Sequence, residues 1–505
     1  MSESSMANVV FATILAPLIG AFVVAFLPSN GKAMAVKWTS LVVAIITFVA
    51  TVLVFTQYDW RTGGFQFQSD YAWLDDFGIR FRLGIDGLSA PMLLLTGIVL
   101  LTAVLMAWHV ERRPRDYFVL LLALTAGVSG TFAALDVFWL FLAYELAVVP
   151  MYLLIGVWGS STRFPTFNRP KEYGAMKLTL FLVVGSILVW IGIFGLWEAS
   201  RQAFFGTPTL NLLDLMEANF SRSFQLWVFP LMAIGFGVLA GMWPFHTWSP
   251  DGHVAAPTSV SMLHAGVLMK LGAYGILRMG IQLLPEGAQF WAPALMTLGT
   301  VNVVYGAISA MGQKDLKYVI GYSSVSHMGY VIMGLATLDS FGMSGAVLQM
   351  FSHGIMTALF FSAVGAIYER AHVRDIGQLE GLAKRMGFTS AIFVIAGLTS
   401  LGLPGLAGFV AEVLIFVGTF RTYPLAGILA VIAAGVTAAY ILRLIAKVFF
   451  GPLDKRWAHL TDASRSEAIG AAILVVTLVV IGVYPKPFLD VINSGVEPLL
   501  RLIGS

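Results

Sequence analysis

The sequence predicts an all-α membrane protein of about fourteen transmembrane helices. Three observations lead there. Of 505 residues, 58% are apolar and only 11% are charged, against about 25% charged in an ordinary soluble domain. The apolar residues gather in long runs, close to the roughly 20 residues a helix needs to cross a bilayer. The runs are rich in Gly, Ala, Leu, Val and Ile, whereas a membrane β-barrel shows short alternating segments. Composition therefore excludes a soluble enzyme, a nucleic-acid binder and a disordered chain. The absence of cysteine excludes disulfides, thiol catalysis and a cysteine-ligated iron–sulfur cluster on this chain.

Charged or Pro/Gly-rich breaks delimit the runs. The first, 8–27, stops at Pro28-Ser29, and the second, 36–57, stops before Asp59. The third is 86–108, closed by Glu111-Arg112-Arg113-Pro114. Asp136 divides the fourth, 116–134, from the fifth, 137–158. The sixth, 174–198, lies between Lys171-Glu172 and Glu198. The seventh, 224–246, follows Arg222, and the eighth, 257–282, runs between Pro257 and Pro285. Lys314-Asp315 closes the ninth, 290–311, and Asp339 the tenth, 317–337. Glu369-Arg370 closes the eleventh, 343–368. The twelfth, 387–419, follows Lys384-Arg385. Pro424 opens the thirteenth, 424–449, and Pro485 closes the fourteenth, 466–484. Beyond Pro485, the spacing of Phe488, Val491, Ile492, Val496, Leu499, Leu500 and Ile503 predicts an amphipathic surface helix.

The segment Met1 to Asn8 is polar, with neither a basic region nor a small-residue cleavage site, so no signal peptide is expected. Seventeen Lys and Arg fall in one alternating set of loops, among them Lys32, Lys37, Arg112, Arg113 and Lys317. Eight fall in the other set with the tails, and five lie inside the spans. By the positive-inside rule, both termini face away from the cytoplasm, as does the acid-rich stretch Asp59 to Asp86. The expected location is a bacterial-type inner membrane.

Two spans are interrupted. The seventh ends in Trp243-Pro244-Phe245-His246-Thr247-Trp248-Ser249-Pro250, and the twelfth contains Gly402-Leu403-Pro404-Gly405. Proline removes a backbone hydrogen bond, and a broken helix survives in lipid only where protein or water satisfies the freed groups. Spans four to eight (116–282) and nine to thirteen (290–449) are both five-helix units, each broken at its fourth member. That match predicts two inverted five-helix repeats.

A charge at mid-membrane costs about 2.5–3.5 kcal/mol on insertion scales, so ionisable residues there are functional candidates. Glu145, Lys270, His327, His353 and Glu412 lie deep within spans five, eight, ten, eleven and twelve. Lys177 lies about one turn inside span six, and His246 and His264 are secondary candidates. Desolvation disfavours the charged form of carboxylate and amine alike, which brings both toward the range where histidine titrates. Such a row of groups is a proton path. Arg278, Arg443 and Lys447 read as snorkelling side chains. A metal reading of His246, Asp251 and His253 is not favoured, and no metal is expected. Nor is a P-loop, a dinucleotide fingerprint or a nucleophile–base pair found.

Several segments resemble one family. They are Trp139-Leu140-Phe141-Leu142-Ala143-Tyr144-Glu145-Leu146, Asp315-Leu316-Lys317, Tyr322-Ser323-Ser324-Val325-Ser326-His327-Met328-Gly329, Gly402-Leu403-Pro404-Gly405 with Gly408-Phe409-Val410-Ala411-Glu412, and Arg82-Leu83-Gly84-Ile85-Asp86-Gly87-Leu88-Ser89. Together they resemble the chain M type (mitochondrial subunit four) antiporter-like membrane subunits of respiratory complex I, within the wider Mrp-type antiporter superfamily. The resemblance implies a subunit that moves protons as NADH is oxidised by quinone elsewhere. It implies no cofactor on this chain, with FMN, iron–sulfur clusters and quinone in partner subunits. The implied partners are other membrane-arm subunits, neighbouring antiporter-like subunits included, and lipid, with no nucleic acid. It also implies roles. Glu145 is the input carboxylate, Lys270 the central lysine, His327 and His353 linkers, and Glu412 the exit acid.

Two departures stand out. Leu239 occupies the place of a lysine that family members usually carry in the seventh helix to partner the glutamate, and Lys177 is the expected substitute. Met262-Leu263-His264-Ala265 looks more like the Mrp-type and chain L type members. Two alternatives therefore stand beside the proton-pumping subunit: an Mrp-type Na+/H+ antiporter subunit and a non-pumping scaffold subunit.

Overall fold

The computed structural model describes residues 2–29, 33–163 and 168–504, so Met1 and Lys32 lie outside the described residues. Thirteen helices among the described residues are long and apolar enough to cross a membrane. They occupy thirteen of the fourteen predicted spans. The first four are Glu3–Ala25, Met34–Gln57, Ser89–His109 and Pro114–Ala133. The fifth is Val137–Trp158, the sixth Lys171–Ala203, the seventh Arg222–Ala255 and the eighth Thr258–Gln282. The ninth to eleventh are Pro285–Met311, Leu316–Ala336 and Ser340–Ala371, and the thirteenth and fourteenth Pro424–Phe449 and Arg465–Val483. The twelfth is built from two shorter helices, Gly387–Ser400 and Ala407–Thr422.

The spans differ in what surrounds them. The apolar stretches of the third, eighth and eleventh are wholly enclosed by other helices. The first, second, thirteenth and fourteenth keep wide faces outward, with Phe22, Val42, Ile432 and Val480 exposed. Lipid solvates such faces as well as protein does, so hydropathy alone does not separate the two kinds. The enclosed helices are where polar side chains can sit away from lipid. His264, Lys270 and His353 lie on two of them, and His327 lies on the nearly enclosed tenth.

Both interruptions are real breaks. The seventh span stops at Ala240, passes Gly241 in left-handed backbone (φ 74°), and resumes at Trp248. Asn302 of the ninth span closes the gap. Its Oδ1 accepts from Trp243 N–H at 2.5 Å, and its Nδ2 donates to the Gly241 and Val325 carbonyls at 3.0 and 3.1 Å. The twelfth span turns through Gly402 and Gly405, both at positive φ, between its two helices.

The two five-helix units match at a second place. Asp136 caps the fifth span, accepting from Phe138 and Trp139 N–H at 2.9 and 3.2 Å. Asp315 caps the tenth, accepting from Lys317 and Tyr318 N–H at 2.8 and 3.3 Å. Each cap lies in an isolated antiparallel bridge, Asp136 with Asn211 and Asp315 with Asp375. Both bridges reach the connection before the broken span. Val137 N–H donates to Leu210 O and Leu212 N–H to Leu135 O, as Leu316 N–H does to Arg374 O and Ile376 N–H to Lys314 O.

Two local features depart from expectation. The acid-rich stretch is not a plain loop. Gln66–Leu74 and Ile79–Ile85 pair as an antiparallel hairpin, with Arg80 bridging Asp70 and Asp75 at 2.8 and 2.6 Å. Arg278 does not snorkel. It is 1% exposed, and its guanidinium is hydrogen-bonded to the Asp86 carboxylate, to the Tyr274 hydroxyl at 2.9 Å and to Gln282 Oε1 at 3.0 Å. A carboxylate within reach removes the need to extend to an interface. Arg443 and Lys447 are exposed. The predicted terminal helix is present as Lys486–Ile503, with Val491, Ile492, Val496 and Leu499 buried and Phe488 against Phe55 and Phe351.

Candidate functional site

The eighth span is irregular around its lysine. It is π-helical over His264–Leu268 and again over Ile276–Gln282. π-turns of this kind occur often at functional sites because they re-aim side chains. Lys270 lies between them, fully buried. Its Nζ donates to the Ala265 carbonyl and lies 2.7 Å from His353 Nδ1 on the eleventh span. The His353 ring is 5.4 Å from that of His327 on the tenth. His327 Nδ1 is 3.4 Å from Glu412 Oε1, and its Nε2 is 3.0 Å from Ser400 Oγ. Ser400 ends the first half of the twelfth span and Glu412 sits in the second half. The break thus brings both halves to one histidine. Gln349 Nε2 lies 3.2 Å from His327 Nδ1.

Four of the predicted residues therefore form one series, Lys270, His353, His327 and Glu412, across four spans. Lys270 with His353 and His327 with Glu412 lie 2.7 and 3.4 Å apart, whereas the two imidazoles face each other at 5.4 Å between ring centroids. Among the described residues, the buried atoms His353 Nε2, Gln349 Oε1, Ser352 Oγ and Ser324 Oγ have no hydrogen-bond partner. Buried polar atoms of this kind are commonly met by internal water.

Glu145 stands apart. It is half-buried, and its Oε1 accepts from Ser186 Oγ of the sixth span. The Tyr144 hydroxyl lies 3.2 Å from the same Ser186. Leu239 is fully buried in the seventh span and offers no charge.

Lys177 does not partner Glu145, which corrects the expected substitution. Lys177 Nζ donates to Asp251 Oδ2 at 2.8 Å. Asp251 also binds the Arg169 guanidinium and accepts from the Tyr318 hydroxyl at 2.9 Å. The physical reason is helix geometry. Lys177 precedes Ser186 by nine residues, which is about 13 Å and half a revolution away on one helix.

His246 is buried beside Tyr305, with ring centroids 4.9 Å apart. His264 lies between Trp248 (5.3 Å) and His253 (4.1 Å). Both nitrogens of His246 and His264 are unpartnered among the described residues. The Asp251 cluster, the Asp86–Arg278 pair and the wholly buried Lys317, whose Nζ donates to the Ala256 carbonyl at 2.7 Å, escaped sequence reasoning. In sequence, Lys317 stands at the first residue of the tenth span and counts with the loop lysines. Its one signal was its place in the family-like segment Asp315-Leu316-Lys317.

Known proteins share this architecture. Residues 134–437 match the family described as NADH:quinone oxidoreductase/Mrp antiporter, transmembrane. The NAD(P)H-quinone oxidoreductase chain 4 of Acaryochloris marina is 38% identical over 96% of this chain and 91% of its own length. That of Gloeobacter violaceus is 37% identical over 97% and 92%. Among solved structures, a chain of respiratory complex I from Thermus thermophilus superposes with TM-score 0.88 at 27% identity, over 98% of this chain and all of that one. A chain of the Mrp complex from Dietzia shares the fold, with TM-score 0.81 at 20% identity over the whole of both chains. The match spans the capped fifth helix, both π-turns and both broken helices, and the chain belongs to the NADH:quinone oxidoreductase/Mrp antiporter transmembrane family.

Proposed function

We propose that this chain is the proton-translocating, antiporter-like subunit in the membrane arm of an NADH:quinone oxidoreductase. The observation that carries the reading is the series from Lys270 through His353 and His327 to Glu412, enclosed in protein away from lipid. The full-length likeness to quinone oxidoreductase chain 4 proteins supports it. Electron transfer belongs to other subunits, which carry FMN, iron–sulfur clusters and the quinone site. Its partners are the other membrane-arm subunits and lipid. Glu145 is the input acid and Glu412 the exit acid. Lys177 acts through the Asp251 cluster beside the input half, and His246 and His264 flank the break and the central lysine.

Residues 116–282 and 290–449 are two inverted repeats. The paired Asp caps and bridges support this, since they recur at the same step of each unit. The chain sits in a bacterial inner membrane with both termini on the non-cytoplasmic side, as the loop charges favour.

The test is Lys270→Ala in the assembled complex, with NADH-driven proton pumping and quinone reduction measured together. Lost pumping at normal assembly supports the reading. Unchanged pumping favours a scaffold role, and sodium-gradient-driven exchange without electron transfer favours an antiporter.

A further inference from the structure

A cleft of about 620 Å3 lies on the Lys/Arg-rich side, where the third and eleventh spans end and the fourteenth begins. Its wall carries His109, Glu369, Arg370 and Glu467. The two carboxylates are held differently. Glu467 receives both Arg370 guanidinium nitrogens, at 3.2 and 2.7 Å. A forked guanidinium of this kind holds its partner as an anion. Glu369 instead meets His109 Nε2 at 3.1 Å and the Thr258 hydroxyl at 3.2 Å. An imidazole and a hydroxyl can trade a proton with a carboxylate, which a guanidinium cannot. The Glu369 side chain is 25% exposed and that of His109 48%. The pair therefore reaches from the cleft to a buried hydroxyl.

Thr258 is the first residue of the eighth span, the helix of Lys270. Polar residues continue down that helix. Ser261 donates to the His253 carbonyl at 3.0 Å, and His264 follows, its ring 4.1 Å from that of His253. From Thr258 the rise is about 9 Å to His264 and about 18 Å to Lys270. Gly365 of the eleventh span packs directly on Thr258, where a Cβ would lie 2.3 Å from its hydroxyl oxygen. Among the described residues, the other charged or titratable groups around Glu369 and His109 are Lys37 of the second span, Tyr117 of the fourth, Lys317 of the tenth, Tyr368 and Arg370 of the eleventh, His372 just after it and Glu467 of the fourteenth.

We propose that Glu369, with His109, is a proton-uptake site that loads the eighth span through Thr258. The inference rests on the proton-translocation reading above. The imidazolium of His109 gives its N–H proton to the Glu369 carboxylate. In the structure the Thr258 hydroxyl donates to Glu369. Once Glu369 is protonated the hydroxyl turns, and its oxygen accepts the Glu369 proton. Its own proton passes through internal water to an unpartnered ring nitrogen of His264. Glu369 is again a carboxylate and Thr258 again a hydroxyl once the proton has moved on, and His109 regains its own proton from the cleft.

The experiment is Glu369→Gln and, separately, Thr258→Val in the assembled complex in inside-out vesicles. Protons pumped per electron are measured from acid to alkaline pH, with Lys270→Ala alongside. For both variants the ratio is expected to fall about tenfold at about pH 8 and under about twofold at about pH 6, because a relay matters most where free protons are scarce. Glu369→Asp is expected to restore part of the alkaline loss. Wild-type pumping at both pH values in an assembled Glu369→Gln or Thr258→Val complex overturns the proposal, as does an equal loss at both. Should Glu369→Gln fail to assemble, Thr258→Val decides. If Lys270→Ala also pumps normally, it is the proton-translocation reading that falls. If only Lys270→Ala is impaired, the uptake site alone falls.

Discussion

Lys270 Nζ and His353 Nδ1 lie 2.7 Å apart, joining the eighth span to the eleventh inside the membrane. The only other hydrogen bond of that ammonium among the described residues is to the Ala265 carbonyl of its own helix. No carboxylate pairs with Lys270 among the described residues, so its charge depends on the histidine side. His353→Leu is expected to lower protons pumped per electron as strongly as Lys270→Ala, and the double variant no further. Residues that act as one relay are not additive. Additive losses in the pumping ratio would place the two groups on separate paths.

Asp251 joins three elements through Lys177, Arg169 and Tyr318. Removing the acid takes the carboxylate from both cations at once, although Arg169 keeps its bond to the Tyr318 hydroxyl, whereas removing one cation leaves the acid paired. Asp251→Asn is therefore expected to cost about 3–5 kcal/mol, and Lys177→Ala about 1–3 kcal/mol. Thermal unfolding in detergent checks the order. Lys177→Ala should also depress pumping less than Glu145→Gln, since Lys177 does not touch Glu145. Equal losses would restore the direct pairing.

The buried Asp86–Arg278 pair ties the start of the third span to the end of the eighth. Asp86 also accepts from Leu88 and Ser89 N–H at 3.1 and 2.9 Å, so it caps its own helix as well. Arg278→Met leaves a buried carboxylate uncompensated and is expected to cost about 3–5 kcal/mol. Adding Asp86→Asn keeps a capping oxygen while removing the charge. The double variant should unfold at a higher temperature than Arg278→Met alone. A lower one would show that the carboxylate is held by its cap, not by the arginine.

The spans were legible because length and hydropathy fix a membrane helix, and both breaks were legible because proline and glycine announce them. Lys270, His327, His353 and Glu412 stood out because charge within an apolar run is costly. What hydropathy does not carry is which face of a helix is enclosed. Arg278 read as snorkelling because its partner Asp86 lies 192 residues away. Lys177 read as a partner of Glu145 because adjacency of helices says nothing about height and azimuth along them. The hairpin Gln66–Leu74 with Ile79–Ile85 lay in a stretch read only for its acids.

Asn302 shows how a broken helix is tolerated. One side chain serves Trp243 N–H and the Gly241 and Val325 carbonyls, and so ties the ninth and tenth spans to the gap in the seventh. Asn302→Leu keeps comparable bulk but takes the side-chain partner from Trp243 N–H and the Gly241 carbonyl, at about 1–3 kcal/mol for each one left buried and unpaired, while the Val325 carbonyl keeps its place in the helix Leu316–Ala336. The loss should concentrate at Trp243, whose N–H donates to this side chain, while Met242 and Phe245 N–H keep their backbone partners Gly237 O and Met242 O. Hydrogen exchange of the Trp243 amide is expected to quicken, with the fifth and sixth spans unchanged. Pumping should fall with it, since His246 rides on the same segment. An unchanged Trp243 amide would mean that water alone satisfies the break, and that the asparagine serves only to join the ninth and tenth spans.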